Sequence, residues 1–473
     1  MIASGRNLHN RARHLGAAAA LALALLSGDL IVSEASERTA AAPAADIADE
    51  VASRRAAFPL TVQPGRRHIE DAAGRPFLIH GDTAWSLIAQ LTREDAELYL
   101  EDRRARGFNT LLVSLLERRF ASNSPANIYG DPPFLTPGDY ATPNERYFVH
   151  ADWVLRRARE KGFLVLLTPS YMGAGGGPEG WYREMAANGL DKLREYGRYL
   201  GRRYAGADNI IWVHGGDYNP PDRALAEAIV EGIQEESGAP LHTAHCSSET
   251  AAYDYWRDAP WLVLNSVYTY GPVHAAALRQ HARAERKPFI LIESAYEYEH
   301  GATERRVRTQ AYQALLSGAA GHIFGNNPIW HFDGPGLYIS PVTWRQALGD
   351  RGSVSMMHLR TLMTSLPWWR LEPDADNTVL IGGLGSVADR AVAARSDDGS
   401  FALIYLPSLR TVAVQLAALA GPRVIARWYD PSDGSWSEVD EAPMTAQHAR
   451  TFVPPGRNKA GFGDWVLLLQ SHP

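Results

Sequence analysis

One cysteine, Cys246, stands in 473 residues, so no disulfide can form within the chain and no Cys-based metal cluster can be assembled. Charge of one sign is scarce as well. Lys and Arg number 47 against 53 Asp and Glu, a net charge of -6, which gives no reason to expect a nucleic-acid partner. No H-E-x-x-H zinc motif occurs, and the lone cysteine has no companion pattern for a thiol protease. Long apolar runs are missing beyond the N-terminus, where Arg6, Arg11, Arg13 and His14 precede Leu15 to Gly28. That run is short for a bilayer span and has the shape of a secretory signal. Residues 1–30 are therefore read as a signal peptide and residues 31–57, Ala-rich and acidic, as a flexible leader. Export to a bacterial periplasm or beyond the cell is expected, with no membrane association after signal removal. The oligomeric state is left open.

What the chain has in abundance is short apolar runs alternating with amphipathic stretches. Eight strands are expected, within Pro76–Asp82, Phe108–Leu116, Phe163–Ser170, Asn209–Asp217, Pro240–Ser248, Trp261–Tyr270, Pro288–Glu297 and Gly321–Asn327. Helix patterns lie between them, one opening at Thr92 as cap with Asp95 placed to complete a capping box. Eight such repeats predict an α/β fold, a (β/α)8 TIM barrel over residues 58–370. A doubly wound open sheet is the alternative, but no G-x-G-x-x-G follows the first strand. From residue 371 to 473 the pattern changes to short strands divided by Gly, Asp, Ser and Pro, an antiparallel β-sandwich expected to support the barrel.

Catalytic groups of such barrels stand at the C-terminal strand ends, and here those ends are polar. The first ends in Asp82 with Trp85 beyond, the second runs into Glu117, and the fourth ends in His214, Gly215, Gly216, Asp217 and Asn219. The fifth carries His242 and His245, whose spacing sends them to opposite faces and argues against their forming a metal site. Asn265, Tyr268 and Tyr270 close the sixth, Glu293 the seventh, and Asn326 and Trp330 follow the eighth. Each has a plainer reading: Asp82 as a helix cap, Asn326 as a turn residue, Asp217 as an exposed turn carboxylate. Asp217 is harder to dismiss, because Gly215 and Gly216 remove side chains before it and open space for a ligand. Glu293, whose plainer reading is a strand end pointing into water, directly follows the dense apolar run Phe289–Ile292. Two carboxylates, Asp217 and Glu293, on strands four and seven face each other across a barrel mouth, which suits glycoside hydrolysis. Asp82, Trp85, His214, Asn219, His245, Asn265, Tyr268, Tyr270, Asn326 and Trp330 are the expected substrate-binding set, with a carbohydrate as substrate and neither cofactor nor metal.

The segments FLIHGDTAW, GFNTL, IIWVHGGD, FILIESAYE and Gly318-Ala319-Ala320-Gly321-His322 with the later Trp330-His331 resemble the apiosidase-like family of (β/α)8 glycosidases, glycoside hydrolase family 140. The resemblance spans roughly residues 58 to 470 and includes a C-terminal domain named as a collagen-binding domain of a collagenase. It implies Asp217 as acid/base, where the wider clan places Glu, and Glu293 as nucleophile, with retention of configuration. The implied substrate is a pectic polysaccharide linked through apiose. The competing expectation is a non-catalytic secreted protein that binds carbohydrate or collagen.

Overall fold

The computed structural model describes residues 55–439 and 443–472; the expected signal, and the leader as far as residue 54, lie outside them. Eight parallel strands form one sheet: β1 (Ile79–Thr83), β2 (Thr110–Ser114), β3 (Leu164–Thr168), β4 (Ile210–Gly215), β5 (His242–His245), β6 (Asn265–Tyr268), β7 (Phe289–Glu293) and β8 (Gly321–Phe324). The order is β5-β4-β3-β2-β1-β8-β7-β6. The ends meet through a parallel bridge from His242 to Leu262, closing the barrel. Every expected strand forms, because each is an apolar run too short for a helix and bounded by turn residues.

Helices α1 (Arg93–Ala105), α2 (Glu145–Glu160), α3 (Tyr182–Tyr204), α4 (Ala224–Ser237), α5 (Val273–His281), α6 (Glu304–Leu316) and α7 (Arg351–Thr364) belong to the surrounding layer. Thr92 caps α1 by accepting from the Asp95 amide at 3.2 Å. The reciprocal half of the expected capping box does not form, because the Asp95 carboxylate is engaged by Arg345 instead. No helix among the described residues is long and apolar enough to cross a membrane.

Strand alternation sorts the barrel residues into two sets. Ile79, Leu112, Leu164, Leu166, Ile211, Val213, Ile290, Ile292 and Ile323 fill the interior, while Leu111, Val113, Val165, Leu167 and Trp212 face the helices. One strand breaks this alternation. Val267 pairs with Leu291 but Tyr268 pairs with Glu293, so β7 carries one residue more than β6 between these rungs. Such a bulge puts two successive residues on one side, which is how Glu293 follows inward-facing Ile292 and still turns toward the barrel mouth.

The C-terminal domain has a seven-stranded sheet containing Phe401–Leu406, Arg423–Tyr429 and Trp465–His472, and a three-stranded sheet of Leu380–Gly382, Val412–Gln415 and Ala449–Phe452. All its pairings are antiparallel. Alternation again divides the larger sheet. Ala402, Ile404, Leu467 and Leu469 join the domain's own core, whereas Leu403, Tyr405, Val466 and Leu468 share a cluster with Tyr312 and Leu315 of α6 and Met356 and Leu359 of α7. The Tyr312 and Tyr405 rings stack across this junction at 4.6 Å, 8° from parallel. Arg308 of α6 donates to both carboxylate oxygens of Asp464, at 2.7 and 2.9 Å, with both side chains fully buried.

Candidate active site

A cavity of about 600 Å³ opens at the C-terminal ends of the strands, and every strand contributes to its wall. Trp85 follows β1, Ser114 ends β2, Tyr171 follows β3, Asp217 β4 and Ser247 β5; Tyr268, Glu293 and Trp330 complete the ring. Tyr270, two-fifths exposed, stands at its edge.

Asp217 is aimed by an unusual turn. Gly215, Gly216 and Asp217 have φ of 95°, 114° and 51°, three successive residues on the left-handed side of backbone space. A Cβ on Gly215 would lie 2.5 Å from the His245 carbonyl oxygen, and one on Gly216 2.3 Å from the Tyr171 ring. Glycine is thus required at both positions, and Asp is among the few other residues that adopt φ > 0 readily. The turn presents the Asp217 carboxylate to the Tyr171 hydroxyl, which donates to Oδ2 at 2.5 Å. Oδ1 is buried without a hydrogen-bond partner.

His245 stands between the two carboxylates. Its Nδ1 accepts the Asp217 backbone N–H at 3.2 Å, which leaves Nε2 to carry the proton and donate to Glu293 Oε2 at 2.8 Å. Burial pulls the imidazole down, but the bond to Glu293 and the charge of Asp217 outweigh it and raise the group above its ordinary value. On protonation, Nδ1 has the Asp217 carboxylate 3.5 Å away. Glu293 is itself raised, first by burial and then by the charge of Asp217, with His245 opposing. The Tyr270 hydroxyl reaches its Oε1 at 3.4 Å and receives the Tyr268 hydroxyl at 2.9 Å. Oxygens of Asp217 and Glu293 and a ring nitrogen of His245 all lie within 4.8 Å of one another, a spacing that would also hold a metal ion. The donor set is hard carboxylate with one imidazole, and two of its members are already joined by a short hydrogen bond.

Of the residues singled out in the sequence, Asp217, Glu293, Trp85, Tyr268, Tyr270 and Trp330 come together at the cavity, with His245 directly behind the two carboxylates. Five others do not reach it. Asp82, His214 and Asn265 fall on the outward phase of their strands. Asp82 accepts from Tyr99 at 2.8 Å and faces Arg103 at 3.5 Å, and burial pushes its carboxyl up to about 6. His214 bonds His242 at 2.9 Å, and Asn265 bonds Gln280 and the Tyr253 amide. Asn326 is spent on Glu297 and Asp350. Asn219 exchanges hydrogen bonds with Ser247, bracing that cavity residue from behind. Glu117 does line the wall, but its carboxylate accepts three successive backbone N–H groups, of Arg118, Arg119 and Phe120, and the Ser86 hydroxyl.

Among the wall residues that were not singled out are Tyr171, Tyr296 and Glu299. Tyr171 immediately follows the third apolar run and so stood at a strand end like the others. Tyr296 accepts the Trp85 indole N–H at 3.1 Å and Glu299 the Trp330 indole N–H at 2.9 Å. Both lie just beyond the seventh strand, and no spacing rule marks them.

Comparison with known proteins gives two family matches. Residues 63–370 match "Apiosidase-like, catalytic domain", and residues 374–470 match "Putative collagen-binding domain of a collagenase". A solved structure described as a glycoside hydrolase shares 26% identity and superposes with a TM-score of 0.76, over 88% of this chain and 97% of the other. A glycoside hydrolase family 5 structure from Bacteroides vulgatus gives 24% identity and a TM-score of 0.77, over 87% and 94% of the two chains, a likeness of fold. None of the curated proteins compared with the chain matches it.

Proposed function

The chain belongs to the apiosidase-like family and is a glycosidase, and from that premise we propose that it cleaves a poly- or oligosaccharide with retention, Glu293 attacking and Asp217 serving as acid and then base. The observation that carries this reading is spacing: oxygens of the two carboxylates approach within 4.8 Å. Direct displacement needs carboxyl groups about 5–5.5 Å apart, whereas inversion needs roughly 6.5–9.5 Å to admit a water between nucleophile and sugar.

In the first step a Glu293 oxygen bonds to the anomeric carbon as the glycosidic bond breaks, and the Asp217 proton passes to the departing oxygen. In the second, water gives a proton to Asp217 as it attacks that carbon and releases Glu293. His245 Nε2 and the Tyr270 hydroxyl hold the Glu293 carboxylate in its attacking orientation. Tyr171 holds Asp217 through Oδ2, while His245 lies nearer Oδ1. Trp85, Tyr268 and Trp330 offer apolar faces to a sugar ring. An apiose-linked plant polysaccharide is the substrate the family description suggests, and a basic, apolar N-terminal segment favours export. The joined core of barrel and C-terminal sheet favours support over collagen binding as that domain's role.

One observation favours the exchanged roles: burial raises Glu293, as an acid requires. Trapping decides between them. A 2-deoxy-2-fluoro glycosyl fluoride should leave its sugar on the peptide containing Glu293 in digested enzyme; a label on Asp217 would exchange the roles. Glu293→Gln should abolish turnover, while Asp217→Asn should retain more activity on activated aryl glycosides than on natural linkages. Near-normal rates in Glu293→Gln would overturn the mechanism.

A further inference from the structure

The catalytic cavity has a neighbour across its rim. Tyr338, 38% exposed, lines that cavity and also lines a second hollow of about 420 Å³. Asp333, Ser340, Thr343 and Gln346 give the second hollow polar walls. One tyrosine is shared by both spaces.

A row of aromatic rings leads to it from the catalytic carboxylates. Tyr268 lies 5.0 Å from the His245 ring, Tyr270 5.3 Å from Tyr268, His300 6.1 Å from Tyr270 and Tyr338 4.8 Å from His300. The last three are exposed. The His300 and Tyr338 planes meet at 65°, so the two rings are not stacked on each other.

The outer end of the row is fixed in place by hydrogen bonds. The Tyr338 hydroxyl and His300 Nε2 are bonded at 2.8 Å. Behind them, fully buried Asn327 donates from its amide to the Tyr338 carbonyl at 3.3 Å and accepts from His331 Nε2 at 2.7 Å. The Ser340 hydroxyl donates to the Asn327 carbonyl at 3.4 Å. A run of exposed rings held this way marks a surface that meets a ligand. Tyrosine offers an apolar face with a polar edge, which matches the C–H face and hydroxyl rim of a sugar.

We propose that Tyr270, His300 and Tyr338 form a second sugar subsite outside the catalytic cavity, which takes a further unit of the same glycan chain. The enzyme is thereby selective for an extended oligo- or polysaccharide over a single glycoside. This deepens the glycosidase reading and rests on it, and the test separates the two.

Pectin oligosaccharides sorted by length and a panel of 4-nitrophenyl monoglycosides are assayed with the wild type, Tyr338→Ala and Tyr338→Phe. In the wild type kcat/KM should rise with length. In Tyr338→Ala that preference for long over single substrates should shrink about tenfold, the order of one lost ring contact, through KM more than kcat. Tyr338→Phe keeps the ring and should lose less. A length preference that is absent in the wild type, or unchanged in Tyr338→Ala, overturns the subsite. If the wild type cleaves neither the oligosaccharides nor the panel, the glycosidase reading fails instead. Calorimetric titration of Glu293→Gln, with and without Tyr338→Ala, against the same oligosaccharides then decides the subsite, because it needs no turnover. Binding that tightens with length and is weakened by Tyr338→Ala supports it; no binding, or equal affinity in the two proteins, overturns it.

Discussion

Asp464→Ala tests whether the C-terminal domain is part of one folding unit with the barrel. The change leaves the Arg308 guanidinium buried with the Ser355 hydroxyl, at 3.1 Å, as its remaining side-chain hydrogen-bond partner among the described residues. It also strips an acceptor from Tyr405, which donates to Asp464 at 3.1 Å, and from Asn458, at 2.8 Å. Breaking one half of a buried pair costs about 3–5 kcal/mol, a large part of the ~5–15 kcal/mol that holds a typical protein folded. The double change Arg308→Met with Asp464→Leu removes both charges and restores apolar contact, so it should cost much less than Asp464→Ala alone. Urea unfolding followed by tryptophan fluorescence and by loss of activity provides the assay, and the two signals should fall together in every variant. A loss below about 1 kcal/mol for Asp464→Ala, within the usual range for surface changes, would refute the argument. So would a β domain that melts first while the barrel stays active. Truncation near residue 370 follows the same logic: it uncovers the α6 and α7 faces that Leu403, Tyr405, Val466 and Leu468 now bury, and the shortened chain should aggregate.

Two further outcomes are expected. Burial pushes the Glu297 carboxyl up to about 7, whereas in an unfolded chain it titrates near about 4.3. The folded state then binds the proton more tightly, so this group's contribution to stability is full at acid pH and is lost as pH rises through about 7, by up to about 4 kcal/mol. Glu297→Gln should flatten that slope in urea titrations between about pH 5 and 7, and an unaltered slope would discount the group. Chelation should leave glycosidase activity unchanged, since Asp217, His245 and Glu293 act through protons and hydrogen bonds in the proposed mechanism. A loss restored by a divalent cation would make the three a metal centre.

The barrel was legible because each strand is a dense apolar run that a turn residue stops, and because helical patterns separate the runs. Glu293 was legible for the same reason, as a charge directly after Phe289–Ile292. Its inward direction was not, since alternation alone would have sent it toward the helices. That direction comes from the bulge opposite Val267 and Tyr268, a pairing between segments that no single stretch records. Asp82, His214 and Asn265 show the converse. They stand at strand ends with suitable chemistry, yet alternation from Ile79, Val213 and Val267 already placed them on the outward side. Counting phase from the apolar neighbours would have separated them from His245. Glu299 and Tyr296 lie in a loop, where neither periodicity nor strand position applies, and their roles depend on Trp330 and Trp85 arriving from distant strands.

The left-handed turn at Gly215, Gly216 and Asp217 also sets where the sequence is free to vary. Side chains at the two glycines would meet the His245 carbonyl and the Tyr171 ring, so variation there displaces the proposed acid rather than retuning it. The segment from Leu337 to Ile339 contains no glycine and is under no such restriction. It lends Leu337 and Tyr338 to the cavity rim, and Leu337 and Ile339 are 64% and 96% exposed. Divergence toward a new substrate has room in that rim and almost none in the turn. A library meant to alter which sugar is cut should be spent on residues 337–339, with 215–217 held constant.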